Sequence, residues 1–321
     1  PLKELLLDKS ITKVLHAARQ DMEIFYRICD AVPSPIFDTQ IAGMAIGLGD
    51  SAGYSALVKA RLNINLDKGA RFTDWSRRPL SEKQLSYALA DVTHLRDLYP
   101  DVVAELEKEE RLPWVMEEMS QHMDETLYTF DPETAWKRLK LRGNKKQYLA
   151  ALRAAAAWRE RQAIKKDIPR RRVLKDDAIY DLAQQRPRTI EALAKLRGIP
   201  RGFEKSSSAK SLVESLSAAI ENADDYAPPA PKVKHMPPSL GPRIEMLKTL
   251  LRLRTEVKGI ATRLVANARD IEQLAAFGEA ADIEALKGWR RDIFGQDALD
   301  MLRGKIALRL EGENVVAERL D

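Results

Sequence analysis

The stretch Arg78–Leu95, RPLSEKQLSYALADVTHL, constrains the fold more tightly than any other part of the chain. It reads as one helix. Pro79 suits a first turn, and Ser81 with Gln84 three residues on has the spacing of a capping box. Leu85, Leu89 and Val92 recur at i, i+4 and i+7, which predicts an apolar stripe facing a core. Tyr87 and Asp91 are also four apart, so they share a face, roughly opposite that stripe. A phenol and a carboxylate are thus expected to project together from an anchored helix, as a functional pair or as part of a solvated face.

The residues before this helix alternate between short strand and helix signals. Ile11–Ala17 is a buried-strand candidate, and a helix is expected from about Asp21 with Ile24, Phe25 and Ile28 as its apolar side. Pro35–Thr39 is a second short strand, with Asp38 placed to cap a helix holding Ile41, Met44 and Leu48. Ser55–Leu62 is a further helix, and Asn63–Ser76 a loop holding Lys68. This rhythm predicts a parallel α/β sheet with crossover helices. Two short strands, however, cannot by themselves cover both faces of a parallel sheet.

Four blocks in this region resemble, in order, the ribonuclease D type of DEDD 3′–5′ exonuclease. KVLHAARQDMEIF (Lys13–Phe25) is similar to the second motif of that family, with Asp21 at the acidic position. FDTQIA (Phe37–Ala42) and LDK (Leu66–Lys68) match its intervening text. TDWSRRPLSEKQLSYALADV (Thr73–Val92) resembles the third motif in its Tyr-x-x-x-Asp form. The resemblance implies an RNase H-like core whose antiparallel strands and first motif, Asp-x-Glu, precede Lys13. No Asp-x-Glu occurs between Pro1 and Asp21. The expectation is therefore a chain truncated at its N-terminus, partial in its core, short of two acidic ligands and inactive in this form.

Composition fits a folded protein of two or three domains: 321 residues, 45% hydrophobic and 31% charged. The longest mostly apolar uncharged stretch, Thr39–Gly49, is about half of the ~20 residues a membrane span needs. Cys29 is the only cysteine, which excludes internal disulfides and thiolate zinc sites and favours a reducing, cytoplasmic setting. His16, His94, His122 and His235 show no metal-ligand spacing. The net charge is only +5, yet Lys137–Arg172 holds 14 basic against two acidic side chains, a balance of +12. Just before it, Glu105–Glu133 holds ten acids against Lys108 and Arg111. Such segregation predicts a polyanion-binding face beside an acidic connector, the other reading being two ordinary solvated helices.

The second half reads as all-helical. Leu149–Pro200 resembles the helicase-and-RNase-D C-terminal (HRDC) domain. A long helix through Trp158 is expected to break at Ile168-Pro169. Asp176–Gln185 follows with Ile179 and Leu182 inward, then a helix capped by Thr189 and closed by Gly198, then Ser208–Ile220. Asp225–Pro242 holds six prolines and reads as an extended linker. Beyond it, Val265, Ile271 and Leu274 repeat Val173, Ile179 and Leu182 at an offset of 92, which predicts a second, diverged HRDC domain. The expected organisation is an exonuclease core at 1–115, an acidic connector at 116–139, HRDC bundles at 140–225 and 243–321, and the linker at 226–242. No Gly-x-x-x-x-Gly-Lys-Ser/Thr phosphate loop is present, which excludes a helicase motor.

The resemblance implies hydrolysis of RNA from its 3′ end with two divalent cations, Mg²⁺ or Mn²⁺, held by carboxylates. It assigns Asp91 and Asp21 to the metals and Tyr87 to the attacking water. Phenols ionise near pH ~10 and are poor general bases, so a positioning role fits Tyr87 better. His16 is read as a packing residue or a substrate contact, Lys68 as a phosphate contact or a solvated lysine, and Trp75 as an anchor for its loop. Lys145, Lys146, Arg170, Arg171 and Arg172 are candidate phosphate contacts, which set affinity without reading sequence. The implied partners are tRNA precursors and other structured RNAs with single-stranded 3′ tails. The protein is expected to act as a monomer, away from membranes. The alternative is a non-catalytic nucleic-acid-binding scaffold with a degenerate core.

Overall fold

The computed structural model describes residues 1–229 and 240–320. They form two compact units, one of residues 1–128 with 240–320, the other of residues 129–229. The linker expectation falls mostly on residues 230–239, outside the described residues. The connector expected at 116–139 is divided between the two units.

In the first unit, α1 (Leu2–Leu7) leads to β1 (Lys13–Leu15), which pairs in parallel with β2 (Ile36–Asp38), Lys13 opposite Ile36 and Leu15 opposite Asp38. Lys13 is buried at the strand start because its ammonium donates to the carbonyls of Asp8, Ile11 and Ser34 at 2.7–2.8 Å. Between the strands runs α2 (Arg19–Cys29), and after β2 comes α3 (Thr39–Ala45), capped by Asp38 as its sequence predicts. The inward side of α2 is Met22, Phe25, Tyr26 and Cys29; Ile24 and Ile28 are about half exposed, contrary to expectation. The three-residue strands leave room for only one row of α2, and that row is Met22–Cys29 (i, i+3, i+4, i+7).

After α4 (Tyr54–Leu62) and an irregular loop comes α5 (Glu82–Lys108). The Ser81–Gln84 capping box forms, so the helix starts at Glu82 and Pro79 lies before it rather than in its first turn. The stripe Leu85, Leu89 and Val92 is exposed at 42%, 63% and 66%, reversing the expected orientation. The buried stripe is Leu98, Val102 and Leu106 further along. At 3.6 residues per turn these lie on the face of Tyr87 and Asp91, not on that of Leu85. The polar pair thus continues the core-facing side of a helix far longer than the sequence segment first suggested. Pro100 removes one ladder bond within it without ending it.

Helix α6 (Leu112–His122) buries Val115 and Met119 against Phe37, Ile41, Val102 and Leu106. Part of the acidic stretch is therefore core-packed, and its acids are partnered: Glu117 and Glu118 both pair with the buried Arg290. Arg290 ends α16 (Gly288–Arg290) in the C-terminal part of the same unit. That part comprises α13 (Leu240–Lys258), α14 (Thr262–Val265), α15 (Ala268–Phe277), α16, a π-helical turn at Arg291–Gly295 and α17 (Gln296–Leu302). It closes with an antiparallel hairpin, β3 (Ile306–Glu311) and β4 (Asn314–Arg319). The hairpin corrects the all-helical expectation. Ile306 is buried and Leu308 and Ala317 pack on the bundle, an alternation too short and too charged to stand out from its helical surroundings.

The second unit is built around α7 (Lys146–Lys166), whose alanine-rich middle is buried on nearly all sides. It packs against a 3₁₀ stretch (Pro132–Arg138), α8 (Arg170–Val173), α9 (Asp176–Gln185), α11 (Ser207–Glu221) and α12 (Ala223–Tyr226). Ile179 and Leu182 are inward as predicted, and Thr189 caps α10 (Ile190–Ala194). Gly198 has a different role from the one expected. It does not close α10; an added Cβ there would come within 2.7 Å of the Ala178 backbone, so glycine permits close packing on α9. Helices α13 to α15 follow the order of α7 to α9, with α14 and α15 starting 92 residues after α8 and α9.

Candidate active site

Asp38 organises the approach to the site. Its buried carboxylate accepts from the backbone N–H groups of Ala17, Ala18 and Gln40 at 2.8–2.9 Å, holding Ala17 at a φ of 58°. That turn ends β1 and places His16 beside Thr39. The Thr39 hydroxyl donates to the Leu15 carbonyl at 3.0 Å and lies 3.0 Å from His16 Nδ1. One hydroxyl carries one proton, so Nδ1 is the donor to Thr39 in this arrangement. Burial lowers the His16 pKa against the opposing pull of Asp38 and of a backbone hydrogen bond to Ala52, which favours a neutral ring.

His16, Lys68, Tyr87 and Asp91 line one cavity of about 450 Å³, together with Gln40, Tyr54 and Arg71. Burial raises the Asp91 carboxyl above its ordinary range. Tyr54, which the sequence reading passed over, donates to the carbonyls of Ala90 and Asp91 at 3.1 and 3.0 Å and stacks obliquely near His16. Its hydroxyl is pushed up to about 12 by burial and by the Asp91 charge. Nothing in the sequence marked Tyr54, since its partners are main-chain carbonyls of a remote helix. The only faint signal was an aromatic opening a helix just after Gly53. Trp75 sits 5.9 Å from the Tyr87 ring, and Gln84 Nε2 donates to Thr73 Oγ1 and the Asp74 carbonyl, so the loop before α5 is tied to the helix.

Asp21 is not among the residues lining the cavity. It sits in the first turn of α2, its carboxyl raised by burial and by the neighbouring Asp38. Among the described residues no group of three or more His, Cys, Asp and Glu side chains converges as a metal centre would require. The oxygen donors present suit a hard cation in kind but not in number.

The other candidates belong to the second unit. Lys146 pairs with Asp224, Arg170 with the buried Glu160 and Arg171 with Asp176. Lys145 and Arg172 are exposed with no acidic partner among the described residues. Arg159 is fully buried, donating to Asp176 and the Leu174 carbonyl, and Arg153 and Arg161 meet Glu133. Much of the +12 balance is thus internal structure rather than open surface. No helix among the described residues is long and apolar enough to cross a membrane.

Residues 1–107 match the 3′–5′ exonuclease family, and residues 149–206 match the HRDC domain. The chain is 43% identical to ribonuclease D of Granulibacter bethesdensis, covering 98% of this chain and 80% of that protein. It is 45% identical to ribonuclease D of Nitrobacter hamburgensis, with coverage of 98% and 82%. The crystal structure of Escherichia coli RNase D, described as an exoribonuclease involved in structured RNA processing, superposes with a TM-score of 0.79. That match has 29% identity over 95% of this chain and 82% of that one. The chain belongs to the ribonuclease D family.

Proposed function

We propose that the protein is a 3′–5′ exoribonuclease that releases nucleoside 5′-monophosphates from the 3′ ends of tRNA precursors and other small structured RNAs. The observation that carries this is the convergence of Tyr87 and Asp91, on the core-facing stripe of α5, with Lys68 and Arg71 in one cavity. Asp91 in the cavity and Asp21 outside its lining would hold two divalent cations, Mg²⁺ or Mn²⁺, only together with further carboxylates such as the family's Asp-x-Glu pair; so held, the cations would supply an activated water and stabilise charge on the leaving oxygen. Tyr87 donates a hydrogen bond that orients the water. Lys68 and Arg71 neutralise the phosphate at the cavity mouth, and His16 on the cavity wall contacts the terminal nucleotide.

In the second unit, Lys145 and Arg172, with Lys146, Arg170 and Arg171 where their ion pairs open, contact phosphates of the structured part of the RNA. The correspondence of α13–α15 with α7–α9 supports a second, diverged HRDC bundle after residue 240. The test is a labelled RNA with a single-stranded 3′ tail, incubated with Mg²⁺ or Mn²⁺ and the protein carrying in addition the strands and Asp-x-Glu motif that the family places before Lys13. Mononucleotides should appear progressively from the 3′ end. Asp91→Asn should lower turnover by about 100-fold or more while leaving RNA affinity unchanged, because a group acting on the chemical step is lost. Binding without any product would favour the scaffold reading.

A further inference from the structure

The loop between α4 and α5 carries a feature that the site above does not use. Phe72 is 90% exposed and is the only aromatic among the exposed large hydrophobic side chains of the described residues. Its neighbour Arg71, which lines the cavity, places its guanidinium carbon 5.1 Å from the Phe72 ring centroid. Lys68, four residues earlier, lines the same cavity.

The loop is held firmly. Ala70 is buried, Arg71 N–H donates to the Lys68 carbonyl at 3.1 Å, and the Thr73 hydroxyl donates to the Ala70 carbonyl at 2.7 Å. Gln84, buried at the start of α5, donates to Thr73 and to the Asp74 carbonyl, both at 3.1 Å. Phe72 is therefore presented by an ordered segment, so little further ordering is required when a ligand meets it. With Arg71 against one face and the residue nearly fully exposed, the other face of the ring is open to solvent.

An open aromatic face flanked by two cations beside a phosphate-hydrolysing cavity has the chemistry of a single-strand platform, where bases stack on π-faces and basic side chains track the backbone. We infer that Phe72 stacks on a base of the single-stranded 3′ tail, with Arg71 and Lys68 holding the adjoining phosphates, so that this loop forms a sequence-tolerant clamp at the cavity mouth. The inference rests on the exoribonuclease reading and adds to it a subsite and its ligand.

The experiment measures binding of a 5′-labelled single-stranded oligoribonucleotide to the whole protein in EDTA, where hydrolysis cannot consume the RNA. Phe72→Ala should weaken binding about 5- to 140-fold, the equivalent of ~1–3 kcal/mol for one stacked base. Phe72→Trp should preserve it. A series of oligonucleotides with one abasic nucleotide at successive positions from the 3′ end should contain one that weakens wild-type binding to the same extent. That oligonucleotide should show no further loss with Phe72→Ala, since the stacking partner is already gone. Thermal unfolding should be unchanged in both variants, because the side chain is exposed. Wild-type affinity in Phe72→Ala, or losses that add at every abasic position, would overturn the platform while leaving the exoribonuclease reading intact. Failure of the wild-type protein to bind RNA at all would remove both.

Discussion

At the scale of single residues, the site depends on side chains that hold main-chain atoms in place. Asp38 fixes the turn that delivers His16, and Tyr54 fixes the turn of α5 that carries Asp91. Tyr54→Phe keeps the ring beside His16 and removes only the hydroxyl. Its loss should cost about 0.5–1.5 kcal/mol of stability, the net worth of a typical hydrogen bond. The larger effect should be on chemistry: kcat is expected to fall about tenfold with KM nearly unchanged, because small misplacements of a reacting group are costly. Steady-state kinetics on a 3′-tailed RNA separates the two parameters, and a rise in KM at constant kcat would assign Tyr54 to substrate binding instead.

At the scale of elements, α5 shows how one stretch of sequence can mislead about orientation. Read over Arg78–Leu95 alone, its apolar triplet outweighs its polar pair. Read over the full 27 residues, the longer stripe ending in Leu98, Val102 and Leu106 carries Tyr87 and Asp91 with it. The basic segment was legible in the same partial way. Its charges are visible in the sequence, but their partners Glu133, Glu160, Asp176 and Asp224 are found only in the folded second unit. This separates two kinds of variant. Lys145→Glu with Arg172→Glu should weaken RNA binding and reduce the log–log salt slope by about 1.8, at ~0.9 per duplex phosphate contact, with no change in thermal stability. Arg170→Glu should instead lower the melting temperature, costing about 1–3 kcal/mol by placing a like charge against buried Glu160. That is less than the ~3–5 kcal/mol of a fully buried broken pair, since Arg159 remains 3.9 Å away. Equal salt slopes for the double variant and wild type would mean that RNA is held elsewhere.

At the scale of the molecule, the C-terminal residues belong to the same unit as the exonuclease core. Trp114 and Trp289 stack in parallel with centroids 4.5 Å apart, and Arg111 donates to the carbonyls of Ala45 and Lys258. Asp50 accepts from Thr262 and from the Arg263 N–H, and Arg290 meets Glu117 and Glu118. Burial already raises the Glu118 carboxyl, while Arg290 pulls it down. Arg290→Met keeps most of the side-chain volume and strands that carboxylate. The variant should be destabilised by roughly 3 kcal/mol near neutral pH. A carboxyl whose folded pKa lies above its unfolded value favours the folded state at low pH and loses that advantage as pH rises through the folded pKa. The deficit of Arg290→Met should therefore shrink as pH falls below neutrality. Denaturant unfolding at several pH values measures this, and a deficit that grows on acidification would exclude Glu118 as its cause.

Local chemistry sufficed for what the sequence determined by itself: the Ser81–Gln84 capping box, the Asp38 and Thr189 caps, the paired short strands and the inward Ile179 and Leu182. Each depends on neighbours within a turn or two, or on a periodicity that survives any surroundings. The order of motifs also carried the family, because their text is contiguous in the chain. Tertiary structure alone decided which side of α5 faces inward, that Tyr54 reaches the carbonyls of Ala90 and Asp91, and that Gly198 lies against Ala178. It also decided that an acidic stretch is partnered by Arg290 from the far end of the chain. The physical reason is the same in each case. Burial and ion pairing are properties of surfaces brought together across long sequence separations, and a residue's identity does not specify which surface will meet it.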